Sequence, residues 1–117
     1  MPNAAIYTVI VFSDDHRALA GFYQAALGLG EPQAFGDTHL GFDLGGLYLG
    51  FDAADWAGTS ESVTLWFRVD DIDAVFQRCL EHGATVRYPP EAKPFGDTVA
   101  ALVDPAGNHF GLSQRTD

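Results

Sequence analysis

Apolar and polar positions along this chain follow two patterns, and both occur twice in the same order. Thr8-Val9-Ile10-Val11-Phe12 is a β-rich apolar run closed by Ser13-Asp14-Asp15, and Thr64-Leu65-Trp66-Phe67-Arg68-Val69 is closed by Asp70-Asp71. The second Asp of each pair can accept hydrogen bonds from the free N–H groups of a following helix, so each segment predicts a strand, a cap and a helix. Leu19, Phe22, Tyr23, Ala26 and Leu27 then fall at helical spacing as far as Gly28, and Ile72, Val75, Phe76, Cys79 and Leu80 do so as far as Gly83. A glycine at that place suits a left-handed helix end. Cys79 sits on the apolar face, which makes it a core thiol rather than a nucleophile.

After the first helix, Gln33 to Phe35, Thr38 to Leu44 and Leu47 to Asp52 read as strands separated by Gly36-Asp37 and Gly45-Gly46. Both dipeptides are hairpin signals. After the second helix come a strand at Thr85 to Tyr88 and a loop through Pro89, Pro90 and Pro94. Strands follow at Thr98 to Val103 and, beyond the turn Asp104-Pro105-Ala106-Gly107, at His109 to Ser113. The order is βαβββ, twice. We expect an α+β domain spanning 1–117, made of repeat modules 4–55 and 61–115, in which each helix covers one face of its own four-stranded sheet. Two curved sheets side by side would leave a concave surface for a ligand, a second subunit or both.

Composition narrows the setting. The 117 residues, 47% hydrophobic and 13% aromatic, are enough for one hydrophobic core. No apolar run approaches the roughly 20 residues that span a bilayer, so no membrane association is expected. Met1-Pro2-Asn3-Ala4-Ala5 lacks the basic start of a secretory signal and a lone cysteine cannot form an internal disulfide, so the expected location is cytoplasmic. The formal charge is −10, and no Lys or Arg stands between Arg17 and Arg68, a gap that holds Glu31, Asp37, Asp43, Asp52, Asp55 and Glu61. Such a field repels nucleic acid phosphates and attracts cations, although acidic surfaces also serve solubility alone.

The stretch from Asp15 through Phe22-Tyr23 to Leu27-Gly28, with Phe67-Arg68-Val69-Asp70-Asp71 and Asp104-Pro105-Ala106-Gly107-Asn108, resembles the vicinal-oxygen-chelate superfamily over nearly the whole chain. That superfamily includes glyoxalase I, extradiol dioxygenases, fosfomycin-resistance transferases and bleomycin-resistance proteins. The resemblance implies paired βαβββ modules with mixed sheets curved into a cup, a helix on the outer face of each, and usually a homodimer. It also implies that metal-dependent members take His, Gln or Glu ligands from the first and last strands of each module. In this chain those positions carry Thr8, Gly50, Thr64 and Gly111. A divalent ion needs imidazole, carboxylate or thiolate donors, which two threonines and two glycines do not supply, so no metal and no cofactor are expected.

If those four positions face inward, strand alternation puts Ile10, Phe12, Tyr48, Asp52, Trp66, Arg68, His109 and Ser113 on the same side. Aromatic walls with a few polar groups are the composition of a small-molecule pocket. The candidate ligand contacts are Phe12, Tyr48, Asp52, Trp66, Arg68 and His109, with Phe95 added from the loop before the seventh strand. The structural alternative makes Phe12, Tyr48 and Trp66 packing or interface residues. Arg68 pairs with Asp52 or binds an anionic ligand, and Asp52 is equally suited to greet a basic one.

The expected function is metal-free binding of a small molecule, cationic or aromatic, with bleomycin-resistance-like antibiotic sequestration as one instance. The alternative is a metal-dependent glyoxalase-like lyase or isomerase, or a dioxygenase, which would require His39 and His109 to converge with Asp43 or Asp52. His16 and His82 lie at helix ends and read as solvated or hydrogen-bonded. A third possibility is an interaction domain whose aromatic face is buried in a partner.

Overall fold

The computed structural model describes residues 3–53 and 63–115. Asp55, Glu61 and the expected module boundaries at 55 and 61 lie outside them. The elements are β1 (Thr8–Phe12), α1 (His16–Leu27), β2 (Gln33–Phe35), β3 (His39–Asp43), β4 (Tyr48–Asp52), β5 (Leu65–Arg68), α2 (Ile72–Glu81), β6 (Thr85–Ala92), β7 (Asp97–Val103) and β8 (His109–Arg115). The fold is α+β, with two βαβββ modules. The chain divides into two compact units, one comprising Met1–Gln24 and Gly28–Thr59, the other Ala25–Leu27 and Ser60–Asp117.

In the first unit the strand order is β1-β4-β3-β2, with β1 parallel to β4 and the remaining pairs antiparallel. The parallel pair follows from the helical crossover, since an antiparallel neighbour could have been reached by a short turn. Asp15 caps α1 by accepting from the Ala18 N–H at 3.1 Å, and Gly28, at φ 67° and ψ 46°, ends it in the left-handed conformation that costs glycine least. The helix's apolar side meets the sheet through aromatic contacts. Tyr23 stacks on Phe51 at 5.4 Å, and Phe42 meets Phe51 edge-on at 6.0 Å. Phe42, Leu49 and Phe51 are fully buried, and each such ring pair contributes about 0.5–1.5 kcal/mol beyond the apolar area it removes from water.

The second unit repeats the plan as β5-β8-β7-β6, with β5 parallel to β8. Asp71 caps α2 through the Ala74 N–H at 3.2 Å, and Gln114 of β8 accepts the Ile72 N–H at 2.6 Å, fastening the first turn of the helix to the sheet. Ile72, Val75 and Cys79 face a core that includes Ala100, Leu102, Phe110 and Leu112. The β7–β8 turn rests on Asp104. Its buried Oδ1 accepts from the Ala106 and Asn108 N–H groups at 2.9 Å each, which gives the Asp-Pro-Ala-Gly-Asn stretch its structural reason.

Two expectations are corrected. The segment read as a loop after Tyr88 is strand: β6 runs from Thr85 to Ala92 through Pro89 and Pro90. Prolines are admissible there because β6 is an edge strand and its pairing with β7 shifts register between Val86 and Tyr88 and again between Tyr88 and Glu91. His16 is neither solvated nor fully bonded. It is buried, and its Nε2 has no hydrogen-bond partner among the described residues. Among the described residues no helix is long and apolar enough to cross a membrane.

Burial pushes the Cys79 thiol up to about 11, the nearby Arg78 opposing only in part. A thiol so protonated and enclosed should stay unmodified by a disulfide reagent at neutral pH and react within seconds once denatured. Full labelling of the native protein on that timescale would show α2 lifting from its sheet.

Candidate functional site

Pairing register places the face of each sheet turned away from its helix. In the second unit one cross-strand row runs Trp66, Gly111, Ala101, Tyr88, and the next runs Arg68, Ser113, Val99, Glu91. Large side chains therefore stand at both ends of the first row, with a glycine and an alanine between them. The Trp66 ring occupies the space above Gly111, so that a Cβ at 111 would collide with it. Trp66, Phe67, Arg68, Tyr88, Lys93, Phe95, Val99 and Ser113 line a cavity of about 470 Å³ on this unit. That is within the usual range for small-molecule sites. Trp66 is 49% exposed and Phe95 71%, an unusual outlay of aromatic surface to water.

The polar side of the cavity is a short network. Arg68 Nη1 and the Ser113 hydroxyl both donate to Asp97 Oδ2, at 3.0 and 2.9 Å. These bonds, the serine's first and then the arginine's, hold the Asp97 carboxyl below its ordinary value. The bond to Asp97 uses one of the five N–H donors of the guanidinium. Lys93 pairs with Glu91 and lies 5.4 Å from the centre of the Tyr88 ring.

In the first unit the corresponding rows are Ile10, Gly50, Gly41, Gln33 and Phe12, Asp52, His39, Phe35, flanked by Thr8, Tyr48, Asp43. His39 Nδ1 lies 3.0 Å from Asp52 Oδ2, and His39 Nε2 lies 2.6 Å from the Tyr48 hydroxyl. The Tyr48 ring lies over Gly41, where any Cβ would overlap its hydroxyl end, and a Cβ at Gly50 would stand 2.8 Å from His39 Cε1 and 2.9 Å from Ile10 Cδ1.

The structure therefore sorts the sequence candidates. Trp66, Arg68 and Phe95 meet at one cavity. Tyr48 and Asp52 meet through His39, and Phe12 is the β1 neighbour of Asp52. His109 is exposed and is not among the cavity residues. Asp52 is not the partner of Arg68: Arg68 pairs with Asp97, and Asp52 with His39. Tyr88 and Val99 belong to the middle strands of the second module, where the resemblance places no ligand position from which an inward face could be counted, and Asp97 falls one residue before the expected start of β7.

The four positions at which the resemblance implies metal ligands do not fit a metal. Gly50 is the β4 partner of Ile10 as Gly111 is the β8 partner of Trp66, so the two glycines are equivalent in register, and both places are roofed by neighbouring side chains. The Thr8 hydroxyl donates to the Tyr48 carbonyl at 3.1 Å, and Thr64 is exposed just before β5. Among the described residues no group of three or more His, Cys, Asp or Glu could hold a metal ion, and His39 and His109 lie in different units.

Two measurements test this geometry. Gly111→Ala should displace the Trp66 ring and cost about 1–3 kcal/mol in urea unfolding, the range for overpacking a filled site. An unchanged midpoint would mean that the ring does not rest there. Ser113→Ala should move the Asp97 carboxyl titration upward by NMR. Because that carboxyl is depressed in the folded protein, its contribution to stability is present above the unfolded value and fades as pH falls through the folded one.

A sequence profile of the family described as a glyoxalase-like domain matches residues 8–113. The chain is similar in structure to a glyoxalase/bleomycin resistance protein/dioxygenase family enzyme from Burkholderia phytofirmans, with 26% identity and a TM-score of 0.79 over 96% of this chain and 99% of that one. A lactoylglutathione lyase from Agrobacterium tumefaciens, at 23% identity and a TM-score of 0.73 over 97% and 95% of the two chains, shares the fold. An uncharacterized protein of Mycobacterium bovis is 44% identical over 52 residues, which are 44% of this chain and 34% of that protein. The match thus spans about a third of the length of that curated relative. With the profile running from the first residue of β1 into β8, the chain belongs to the glyoxalase-like domain family.

Proposed function

We propose that this protein binds a small planar anion without a metal, in the cavity of the second unit. The observation that carries the reading is the lining itself. Trp66, Tyr88 and Phe95 offer aromatic surface to a flat ligand, while Arg68 and Lys93 supply positive charge beside it. An arginine that spends one of its five N–H donors on Asp97, its one hydrogen-bond partner among the described residues, suits a carboxylate or phosphate, which it can grip through two parallel bonds.

Family membership supports a small-molecule ligand. The local charge then favours an aromatic anion over the cationic antibiotic that the net charge of −10 alone would suggest. Two of the six Lys and Arg residues line this one cavity, while their carboxylate partners Asp97 and Glu91 are not among its lining residues, so a ligand there meets the cationic groups first, at a range where a distant acidic field is screened. Sequestration of an antibiotic remains within the proposal for compounds that present a flat acidic part.

Isothermal calorimetry should detect 2-naphthoate binding to the intact protein. Trp66→Ala should weaken it at least tenfold, and Arg68→Ala should weaken it while flattening its dependence on salt. Tighter binding of a bleomycin-type cation, undiminished in Arg68→Ala, would reverse the proposed charge preference.

A further inference from the structure

The polar chain of the first unit has no part in the proposed cavity, and its construction asks for a separate account. Asp52 is 3% exposed on β4, His39 stands opposite it on β3, and Tyr48 lies four residues back along β4 on the same face. The three side chains are joined in order through both imidazole nitrogens, at 3.0 and 2.6 Å. The His39 and Tyr48 rings are nearly parallel, with 9° between their planes. Glycines at 41 and 50 leave the room in which these rings lie, since a Cβ at either would strike them. With the Asp52 carboxylate accepting at Nδ1, the imidazole carries its proton there and presents the Nε2 lone pair to the Tyr48 hydroxyl.

We propose that Asp52, His39 and Tyr48 form a proton relay that binds and ionises a weakly acidic hydroxyl, of the phenol or enol kind, at the Tyr48 oxygen. As the ligand's O–H bond breaks, its proton passes to Tyr48 Oη and its electron pair stays on the ligand oxygen. The tyrosine's own proton passes to His39 Nε2, and the imidazolium so formed is held against the Asp52 carboxylate. No oxidant, metal or further reactant is needed. Tyr48 alone is a poor base precursor, because burial and then the Asp52 charge push its hydroxyl up from the ordinary value. The relay keeps tyrosinate from having to form.

The surroundings suit such a ligand. Phe35, 62% exposed on β2, has its ring 5.7 Å from His39, a neighbouring apolar plane for a ring-bearing hydroxyl. Asp43 is opposite Tyr48 in the pairing, but its Oδ1 accepts from the Gly45 N–H at 2.9 Å in the β3–β4 turn. The second unit has no counterpart to the relay. By register the places of Asp52 and His39 are taken there by Ser113 and Val99.

The test uses 4-nitrophenol, whose anion is yellow, titrated with the intact protein at a pH below the probe's own pKa. Saturable appearance of the phenolate band is expected. It should be lost in Tyr48→Phe, which keeps the ring over Gly41, and in His39→Asn, and should fall severalfold in Asp52→Asn. Nitrogen-15 NMR of the free protein should show His39 in the Nδ1–H form. Absence of the phenolate band at saturating protein, whether the probe binds neutral or not at all, overturns the proposal. So does a band that survives Tyr48→Phe and disappears in Trp66→Ala, since ionisation would then belong to the other cavity.

Discussion

The structure's open sheet faces depend on one steric condition: the middle of each closing strand must carry no side chain. Gly50 and Gly111 hold equivalent places, each the parallel neighbour of a large residue on the opening strand, Ile10 in one unit and Trp66 in the other. Because side chains on one sheet face stand about 5 Å apart across strands, a bulky ring can lie flat over its neighbour only if that neighbour ends at Cα. Trp66 does so over Gly111, and the space at Gly50 is taken by the His39 ring and the Ile10 side chain. The glycines are thus occupied positions in a physical sense, filled from the side. That is why the absence of metal-donor side chains at these two places is a statement about packing as well as about chemistry.

From that condition the two units take different courses on the same scaffold. In the second, small residues at 111 and 101 separate Trp66 from Tyr88 and leave a floor between aromatic walls. In the first, the paired glycines at 41 and 50 admit a tyrosine and a histidine that bond to one another and to a buried carboxylate. Burying Asp52 would be costly unless its oxygens were bonded, and His39 meets that requirement with a charge-assisted partner. The chain's overall acidity accounts for neither face. What matters at each is the charge within a few ångströms, where solvent screens least.

Much of this was legible in the residues. The duplicated strand, Asp pair and amphipathic helix placed β1, α1, β5 and α2 within a residue or two, and both second aspartates are caps as expected. Strand alternation put Tyr48 with Asp52 and Trp66 with Arg68 on one face, which the register shows. Partner choice was not legible. Whether Arg68 met Asp52 or another acid depended on β7 beginning at Asp97, and no local signal marks that start. The prolines of β6 misled for a definable reason: Pro89 and Pro90 forbid a central strand but not an edge strand with shifted pairing, and edge position is a property of the sheet rather than of the segment.

His39 shows the limit most clearly. As a lone histidine in a short strand it was open to metal binding or to ordinary hydrogen bonding, and nothing local favours a relay. Its role emerges only when β3 is set antiparallel to β4 in one register, with His39 opposite Asp52 and Gly41 opposite Gly50. A shift of that register by one residue would turn His39 toward the helix side and expose Leu40 and Phe42 in its place. The buried pair Phe42 and Phe51, packed edge to face, resists such a slip. The hydrophobic side of the sheet therefore sets the geometry of the polar side: the rings that hold α1 to the sheet are the same restraint that brings Asp52, His39 and Tyr48 within hydrogen-bonding distance.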